Sequence, residues 1–373
     1  MGVTKNRPSV LKEQKYQVII AGAGPSGLAT SLTLSAYNIS HCLIDENKSA
    51  IHKSGDALPP NSKPLLKQLG ILDLLDSEHH IPYYGNKSIW GSNVPHQKEF
   101  IENKHGHGFL LDRLYFENQL RELVKNNQTP FYSGYQIKNV QKKGDELEVS
   151  IQNNSNKSQI LAQYIVDATG RKASICRHLG IQKKELDTQI TISFWHELTH
   201  KTPRQIWIEA TENGWWYLAP TADTKINCMF FTLKELTPKK DGIVSFLKNE
   251  LNKTQQIQKI IQPREEELFE NKRMPSGTNY LEQPYGENWL AVGDAAFSYD
   301  PISSYGITSA LASGYYGGHA IASKIFNEED AFLSYQYVLE NGVKSYLQKL
   351  THQYSMEKRW SNSYYWNNRL LQK

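Results

Sequence analysis

A chain of 373 residues is longer than one ordinary domain and within reach of two interlocked ones, and it can bury a large core without disulfides or structural metal. Its 39% hydrophobic and 21% charged residues mark a globular protein rather than a disordered one. A net charge of +4, with lysines and acids interspersed, provides no basic run of the kind that nucleic acid requires.

Near the N-terminus, residues 1–15 are polar and hold no apolar core of signal-peptide length, and no later apolar run reaches membrane-span length. Cys42, Cys176 and Cys228 lie far apart, without metal-ligand or redox spacing. A reducing, cytoplasmic setting is therefore expected. Residues 16–21 are an apolar run that predicts a buried parallel strand. A glycine-rich turn, a helix from Ser26 to Tyr37 and a strand from His41 to Asp45 complete one βαβ unit. Helices are predicted over 59–75, where Leu65, Leu66, Leu69 and Leu72 share a face, and over 112–126, where Leu114, Phe116, Leu120 and Leu123 repeat at helical spacing. Alternation over 136–167, with turns at Gly144-Asp145 and Asn153-Asn154, predicts a meander that rejoins the sheet at Tyr164-Ile165-Val166.

From about Thr188 to Thr232 come four strand-like stretches rich in Ile, Trp, Tyr and Phe. They predict a mainly antiparallel layer carrying the substrate surface. A short buried strand, Trp289-Leu290-Ala291-Val292, runs into Gly293-Asp294-Ala295-Ala296, and long helices broken near Asn327-Glu328-Glu329 follow. The expected fold class is α/β, with a discontinuous dinucleotide-binding Rossmann-like domain, an inserted β-rich domain and C-terminal helices. The expected boundaries are 1–15 for a tail; 16–80, 105–180 and 285–326 for the dinucleotide domain; 81–104 and 181–284 for the β-rich domain; and 327–373 for the helices.

Gly22-Ala23-Gly24-Pro25-Ser26-Gly27 follows a strand and opens a helix, the context in which a G-x-G-x-x-G pattern is informative. Gly22 allows the tight turn, Gly24 admits a pyrophosphate, and Gly27 lets the helix pack on the strand. The helix N-terminus supplies free N–H donors for phosphate. Asp45, with Glu46 beside it, ends the second strand where an acid accepts hydrogen bonds from ribose hydroxyls.

The second box decides between FAD and NAD. Asn288-Trp289-Leu290-Ala291-Val292-Gly293-Asp294, followed by Asp300-Pro301 and Gly306-Ile307, resembles the second FAD fingerprint of the glutathione-reductase-type flavoproteins. The resemblance implies that Asp294, after Gly293, accepts a hydrogen bond from a ribityl hydroxyl, and that Pro301, Gly306 and Ile307 lie by the isoalloxazine. A helix N-terminus there stabilises an anionic reduced flavin. Val166-Asp167-Ala168-Thr169-Gly170-Arg171 is similar to the segment that class A flavin monooxygenases use beside the dinucleotide; its Asp either touches the cofactor or caps the turn. Arg113 resembles the family's arginine near the FAD pyrophosphate or ribityl chain, while an i,i+4 pair with Glu117 is the plain alternative.

Gly55-Asp56-Ala57-Leu58-Pro59-Pro60 is similar to a Gly-acid-x-Leu-Pro-Pro box of flavin-dependent halogenases and related hydroxylases, with Asp56 where Glu is usual. Residues 85–92, the box Gly214-Trp215-Trp216-Tyr217-Leu218-Ala219-Pro220 and the tail from Arg359-Trp360 to Tyr365-Trp366 look most like the flavoproteins that mature quinone-cofactor amine oxidases by hydroxylating a tryptophan of the target protein. Ser304 stands where the flavin-edge pattern has glycine, which matters if that position needs a positive φ.

Flavin halogenases use a lysine near Lys87 to relay hypohalous acid, but their Trp-x-Trp-x-Ile-Pro box is absent here. Lys87 reads as a surface or strand-edge lysine, Trp216 and its neighbours as core or pocket wall, and His196 as a structural histidine or a base. The histidines 79–80 and 105–107 have no metal partner set, so no metal is expected. The C-terminal aromatics either pack over the flavin domain or form a docking face for a partner.

The resemblance implies an FAD-dependent monooxygenase that hydroxylates an electron-rich aromatic substrate through a flavin hydroperoxide, with a tryptophan of a protein or peptide as one such substrate. NAD(P)H is the expected transient electron donor. The alternatives are a halogenase or hydroxylase of a small secondary metabolite, and a flavoprotein like the geranylgeranyl reductases.

Overall fold

The computed structural model describes residues 14–51, 55–202 and 204–369. Val18, Ile19 and Ile20 are fully buried, because the strand Gln14–Ala21 is flanked on both sides by parallel neighbours, His41–Asp45 and Lys157–Asp167. Phe131–Ser133 extends this parallel set beyond His41–Asp45. The long strand Lys157–Asp167 is shared. Its first half pairs antiparallel with Glu146–Gln152, and its second half pairs parallel with Trp289–Ala291. Ala21, Asp167 and Ala291 therefore end in register at one carboxyl edge, where an open α/β sheet binds its ligand. The core is α/β, with a dinucleotide-type parallel sheet, a mainly antiparallel second sheet and C-terminal helices.

The first helix spans Pro25–Ala36. The helix Gly306–Ile325 lies against it, with glycines at the crossing: a Cβ on Gly314 would stand 2.1 Å from the Ser26 carbonyl oxygen, and one on Gly318 2.7 Å from Thr33. Arg113–Asn126 is capped by Asp112, whose carboxylate accepts from the Tyr115 N–H at 2.9 Å.

The helix predicted over 59–75 is instead broken. A short 3₁₀ turn leads into Lys63–Gln68, and Gly70 then turns left-handed at φ 68°. The Ile71 N–H closes on the Leu66 carbonyl at 2.9 Å, a glycine-type helix end that the leucine spacing alone does not reveal.

The second sheet runs Lys272–Pro275, Gln189–Glu197, Lys225–Leu233, Gly214–Pro220, Ile206–Thr211, Gly85–Ile89, His96–Glu99. All pairs are antiparallel except Ile206–Thr211 with Gly85–Ile89. Alternation sorts its side chains onto two faces. Trp215, Tyr217, Met229 and Phe231 form an inner face, packed with Ala57, Leu110 and Phe297 and with the C-terminal helices Ala331–Ser355 and Tyr364–Arg369. Trp216, Leu218, Cys228 and Phe230 form an outer face, covered by Ile243–Asn252, Ile257–Ile260 and Glu265–Phe269. Among the described residues no helix is long and apolar enough to cross a membrane.

Candidate functional site

The carboxyl edge of the parallel sheet is built around Gly22. It adopts φ 104°, its N–H donates to the Ile44 carbonyl at 2.7 Å, and a Cβ there would stand 2.3 Å from the Ala168 carbonyl oxygen. A Cβ on Gly27 would come within 2.0 Å of the Gly22 carbonyl oxygen, so only glycine lets the helix sit on its own turn. Gly24 is the extended N-cap and Pro25 opens the helix. Its first-turn N–H groups have no intrahelical acceptor, the arrangement that favours an anion at a helix start.

Asp45 is buried and braces this turn. One carboxylate oxygen accepts from the Ala23 N–H at 2.7 Å; the other accepts from the Asn47 N–H at 2.8 Å and lies 3.3 Å from the Arg121 guanidinium. Exposed Glu46 pairs with Lys172 at 3.0 Å. Arg121 is a contributor that sequence reasoning missed. Its only signal is its helical position, eight residues after Arg113.

The downstream box meets the glycine turn directly. Gly293 adopts φ 59°, and a Cβ there would stand 2.6 Å from Ser26 Oγ. The Gly293 N–H donates to Ser313 Oγ at 2.9 Å, and the Tyr335 hydroxyl, 2.8 Å from Ser313, donates to the Ala291 carbonyl at 2.9 Å. The Asp294 carboxylate is half-buried, 3.5 Å from Arg171 Nε. Lys183 donates to the Asp294 carbonyl and, at 3.2 Å, to Ser298 Oγ. Burial pushes the Lys183 ammonium down to about 8, against the pull of Asp294. Nothing in the local sequence separates Lys183 from its exposed neighbour Lys184.

Asp167 is the cap, not a free ligand. Its fully buried carboxylate accepts from the Thr169 N–H and hydroxyl at 3.0 and 2.6 Å, and from the N–H groups of Ile175 and Cys176 at 3.0 and 2.9 Å. Arg113 is likewise engaged, donating to Glu117 at 2.6 and 3.2 Å and to the Gly55 carbonyl at 2.6 Å.

Asp300, Pro301 and Ser303 form a tight turn, after which Ser304 takes φ 53°, ψ 20°. The serine thus adopts the left-handed conformation that glycine would give, and Gly306 and Ile307 still open the long helix. Asn61 bonds the Tyr305 hydroxyl, and Ser62 Oγ lies 2.7 Å from Thr308 Oγ1, which fastens the Gly55–Pro60 segment to this helix start. Within that segment Asp56 is buried. It accepts from Asn227 Nδ2 at 3.2 Å, while its other oxygen has no partner among the described residues. Burial pushes its carboxyl up to about 6, opposed by Arg113 and Asn227.

Lys87, His196 and Trp216 lie away from the carboxyl edge. Lys87 registers with Trp207 on the outer face and lines a cleft there with Gln256 and Ile257. His196, buried, pairs with Glu267 of an outer helix at 3.0 Å. Trp216 packs among Phe194 and Phe230 on the same outer face. On the inner face Trp215 stacks on Phe231, ring centroids 3.9 Å apart. A run of consecutive aromatics does not disclose which of them points inward. Among the described residues no group of three or more His, Cys, Asp or Glu is arranged to hold a metal ion.

Residues 15–340 match the family model described as FAD binding domain. The chain belongs to this FAD-binding family. It is an FAD-dependent oxidoreductase with a fold shared by flavin-dependent halogenases. The flavoprotein is 27% identical over 364 residues to a protein of Marinomonas mediterranea named as the FAD-dependent oxidoreductase LodB, covering 95% of this chain and 97% of that one. It shares its fold with the myxobacterial chondrochloren halogenase CndH (TM-score 0.86, 19% identity, 95% of this chain and 86% of that one). It also shares the fold of the peptidyl tryptophan dihydroxylase QhpG, at TM-score 0.77 and 18% identity, over 95% of this chain and 78% of that one. The residues fit the cofactor: a glycine turn with no room for a Cβ, an acid at the second strand end, and a Gly-Asp box abutting the turn through Ser26.

Proposed function

We propose that this flavoprotein is a monooxygenase that hydroxylates an electron-rich aromatic ring, with a tryptophan of a protein or peptide as the substrate class. The observation that carries this reading is the inner aromatic face, Trp215, Tyr217 and Phe231, which packs with Phe297 and partly buried Ile302 of the Gly293–Ser304 region. These buried rings make a dry, apolar backing to that region, which excludes water from chemistry beside it. Bound FAD, once reduced, supplies the activation of dioxygen, and the protein contributes position and a dry site.

In this reading Gly22, Ala23, Gly24, Pro25, Ser26 and Gly27 hold the pyrophosphate, Asp45 and Glu46 the adenosine ribose, and Gly293 and Asp294 the ribityl chain. Arg113 supports the pyrophosphate side through the Gly55 carbonyl it holds. Pro301, Gly306 and Ile307 border the ring system, where first-turn N–H groups of Gly306–Ile325 favour negative charge. The parallel set is one dinucleotide fold, and NAD(P)H serves as a transient donor.

Lys87 supports hydroxylation over halogenation: its outer-face position sets it apart from the inner wall that a relay lysine would have to reach. Hydroxylation of a peptide tryptophan is the activity that the name of QhpG states. The test is oxygen uptake by the FAD-loaded protein on addition of NADH, with peroxide released when substrate is lacking. Flavin reduction by NADH with a prenyl substrate and no oxygen uptake would overturn the proposal in favour of a reductase. Loss of product in Lys87→Ala at unchanged flavin content would overturn the preference for hydroxylation.

A further inference from the structure

The last described residue of the chain reaches the loop assigned above to the flavin ring. Arg369, at the end of the helix Tyr364–Arg369, is 3% exposed, and its guanidinium bridges two buried carboxylates. One terminal nitrogen lies 2.6 Å from Asp187 Oδ1, and the other contacts Asp300 Oδ2. The same Asp300 oxygen accepts from the Tyr354 hydroxyl at 3.1 Å and from Gln189 Nε2 at 3.2 Å. Asp300 Oδ1 accepts from the Ile302 N–H at 2.8 Å, and the Asp300 N–H donates to the Tyr346 hydroxyl at 2.7 Å. The Tyr365 hydroxyl closes the network on Gln189 at 2.8 Å, and the Tyr354 ring lies 4.5 Å from the Arg369 guanidinium carbon. Asp300 is thus where the flavin-edge turn, the second sheet and both C-terminal helices meet.

We propose that Arg369 is a positioning residue for the flavin, acting through Asp300 on the turn that carries Pro301 and Ser304. This rests on the reading that residues 300–307 border the flavin ring. The physical case is one of charge. Two fully desolvated carboxylates face a single guanidinium, so removing the cation leaves like charges buried together, a state a protein relieves by protonating one or moving it. Burial and Asp187 already push the Asp300 carboxyl up, and Arg369 pulls it back. A protonated or displaced Asp300 weakens the bond that its Oδ1 accepts from the Ile302 N–H, the bond that shapes the turn. Ser304 two residues on is held in a left-handed conformation that costs energy, so a loosened turn relaxes there first. The start of Gly306–Ile325 moves with it.

The test uses the full chain loaded with FAD, as wild type and as Arg369→Gln, Arg369→Lys and Tyr354→Phe. The readouts are FAD occupancy, visible spectrum, reduction potential and the rate at which photoreduced flavin is reoxidised by dioxygen. In that reaction dioxygen takes two electrons and two protons and leaves as hydrogen peroxide. Arg369→Gln is expected to keep FAD, because the glycine turn is untouched. It should also change the spectrum, shift the potential and alter the reoxidation rate by about 10-fold or more. Arg369→Lys should recover part of each change. Tyr354→Phe removes one donor without stranding a charge, and should shift the same readouts less, which keeps the test open if Arg369→Gln does not fold. A lowered melting temperature with unchanged spectrum, potential and rate would overturn the proposal. Wild type that takes up no FAD would overturn the flavin reading as well, so the two failures are distinct.

Discussion

At the scale of single residues, burial has committed the carboxylates Asp45 and Asp56 to fixed partners or to protonation. Asp45 accepts from two backbone N–H groups and faces Arg121. Asp45→Ala removes a charge-assisted brace of the glycine turn, about 1.5–3 kcal/mol, and FAD affinity measured by fluorescence quenching should fall by about 10- to 100-fold. Unchanged affinity would take Asp45 out of the site. Asp56 gives a prediction in pH. Its folded pKa of about 6 lies above the unfolded value, so burial favours the protonated form. Its stabilising contribution is full below pH of about 4 and is lost as pH rises toward 6. Asp56→Asn should therefore melt higher than wild type above pH 6 and not below pH 4, by about 3 kcal/mol at most. Thermal melts across that range check it, and parallel melting curves would refute it. The positions of Asp45 at the second strand end and of Asp294 after Gly293 were legible from motif spacing. The partners of Arg121, Lys183 and Arg369 were not, because a single basic residue on a helix or loop has no local signature of its partner.

At the scale of elements, glycines decide how closely segments approach. The expected helix 26–37 and the observed Pro25–Ala36 agree because one apolar run and one glycine turn define them. The crossing with Gly306–Ile325 was not legible, since Gly314 and Gly318 in sequence look like helix weakeners. In the structure they are contact points. Gly314→Ala should destabilise the protein although alanine favours helix by about 1 kcal/mol. The cost of forcing the helices apart is about 1–3 kcal/mol, read as a lower denaturation midpoint. A rise in midpoint would contradict the crossing. The broken 59–75 helix shows the converse: leucine periodicity continues through Gly70 while the backbone does not. In the aromatic box, composition predicted a strand, and only the register assigns Trp215 and Tyr217 inward and Trp216 outward.

At the scale of the whole molecule, the parallel sheet and its two boxes were readable far apart in the chain because each is a backbone requirement written in glycine and acid. The second sheet was readable as strands but not as a surface, because its inner wall is completed by residues from the far C-terminus, Tyr354, Tyr365 and Trp366. Those helices pack over the inner face, so Tyr346, Tyr354, Tyr365 and Trp366 belong to the core while Tyr364 stays exposed. They also place Arg369 against Asp300. The fold thus joins the glycine turn with the Gly-Asp box, a buried aromatic face and the Arg369–Asp300 pair in one structure. Oxygen transfer to an aromatic ring is tested by mixing photoreduced, FAD-loaded protein with isotopically labelled dioxygen and a tryptophan-containing peptide. Label is expected in the indole ring of the peptide. Quantitative return of the electrons as labelled hydrogen peroxide, with peptides and free aromatic substrates alike left unlabelled, would contradict it.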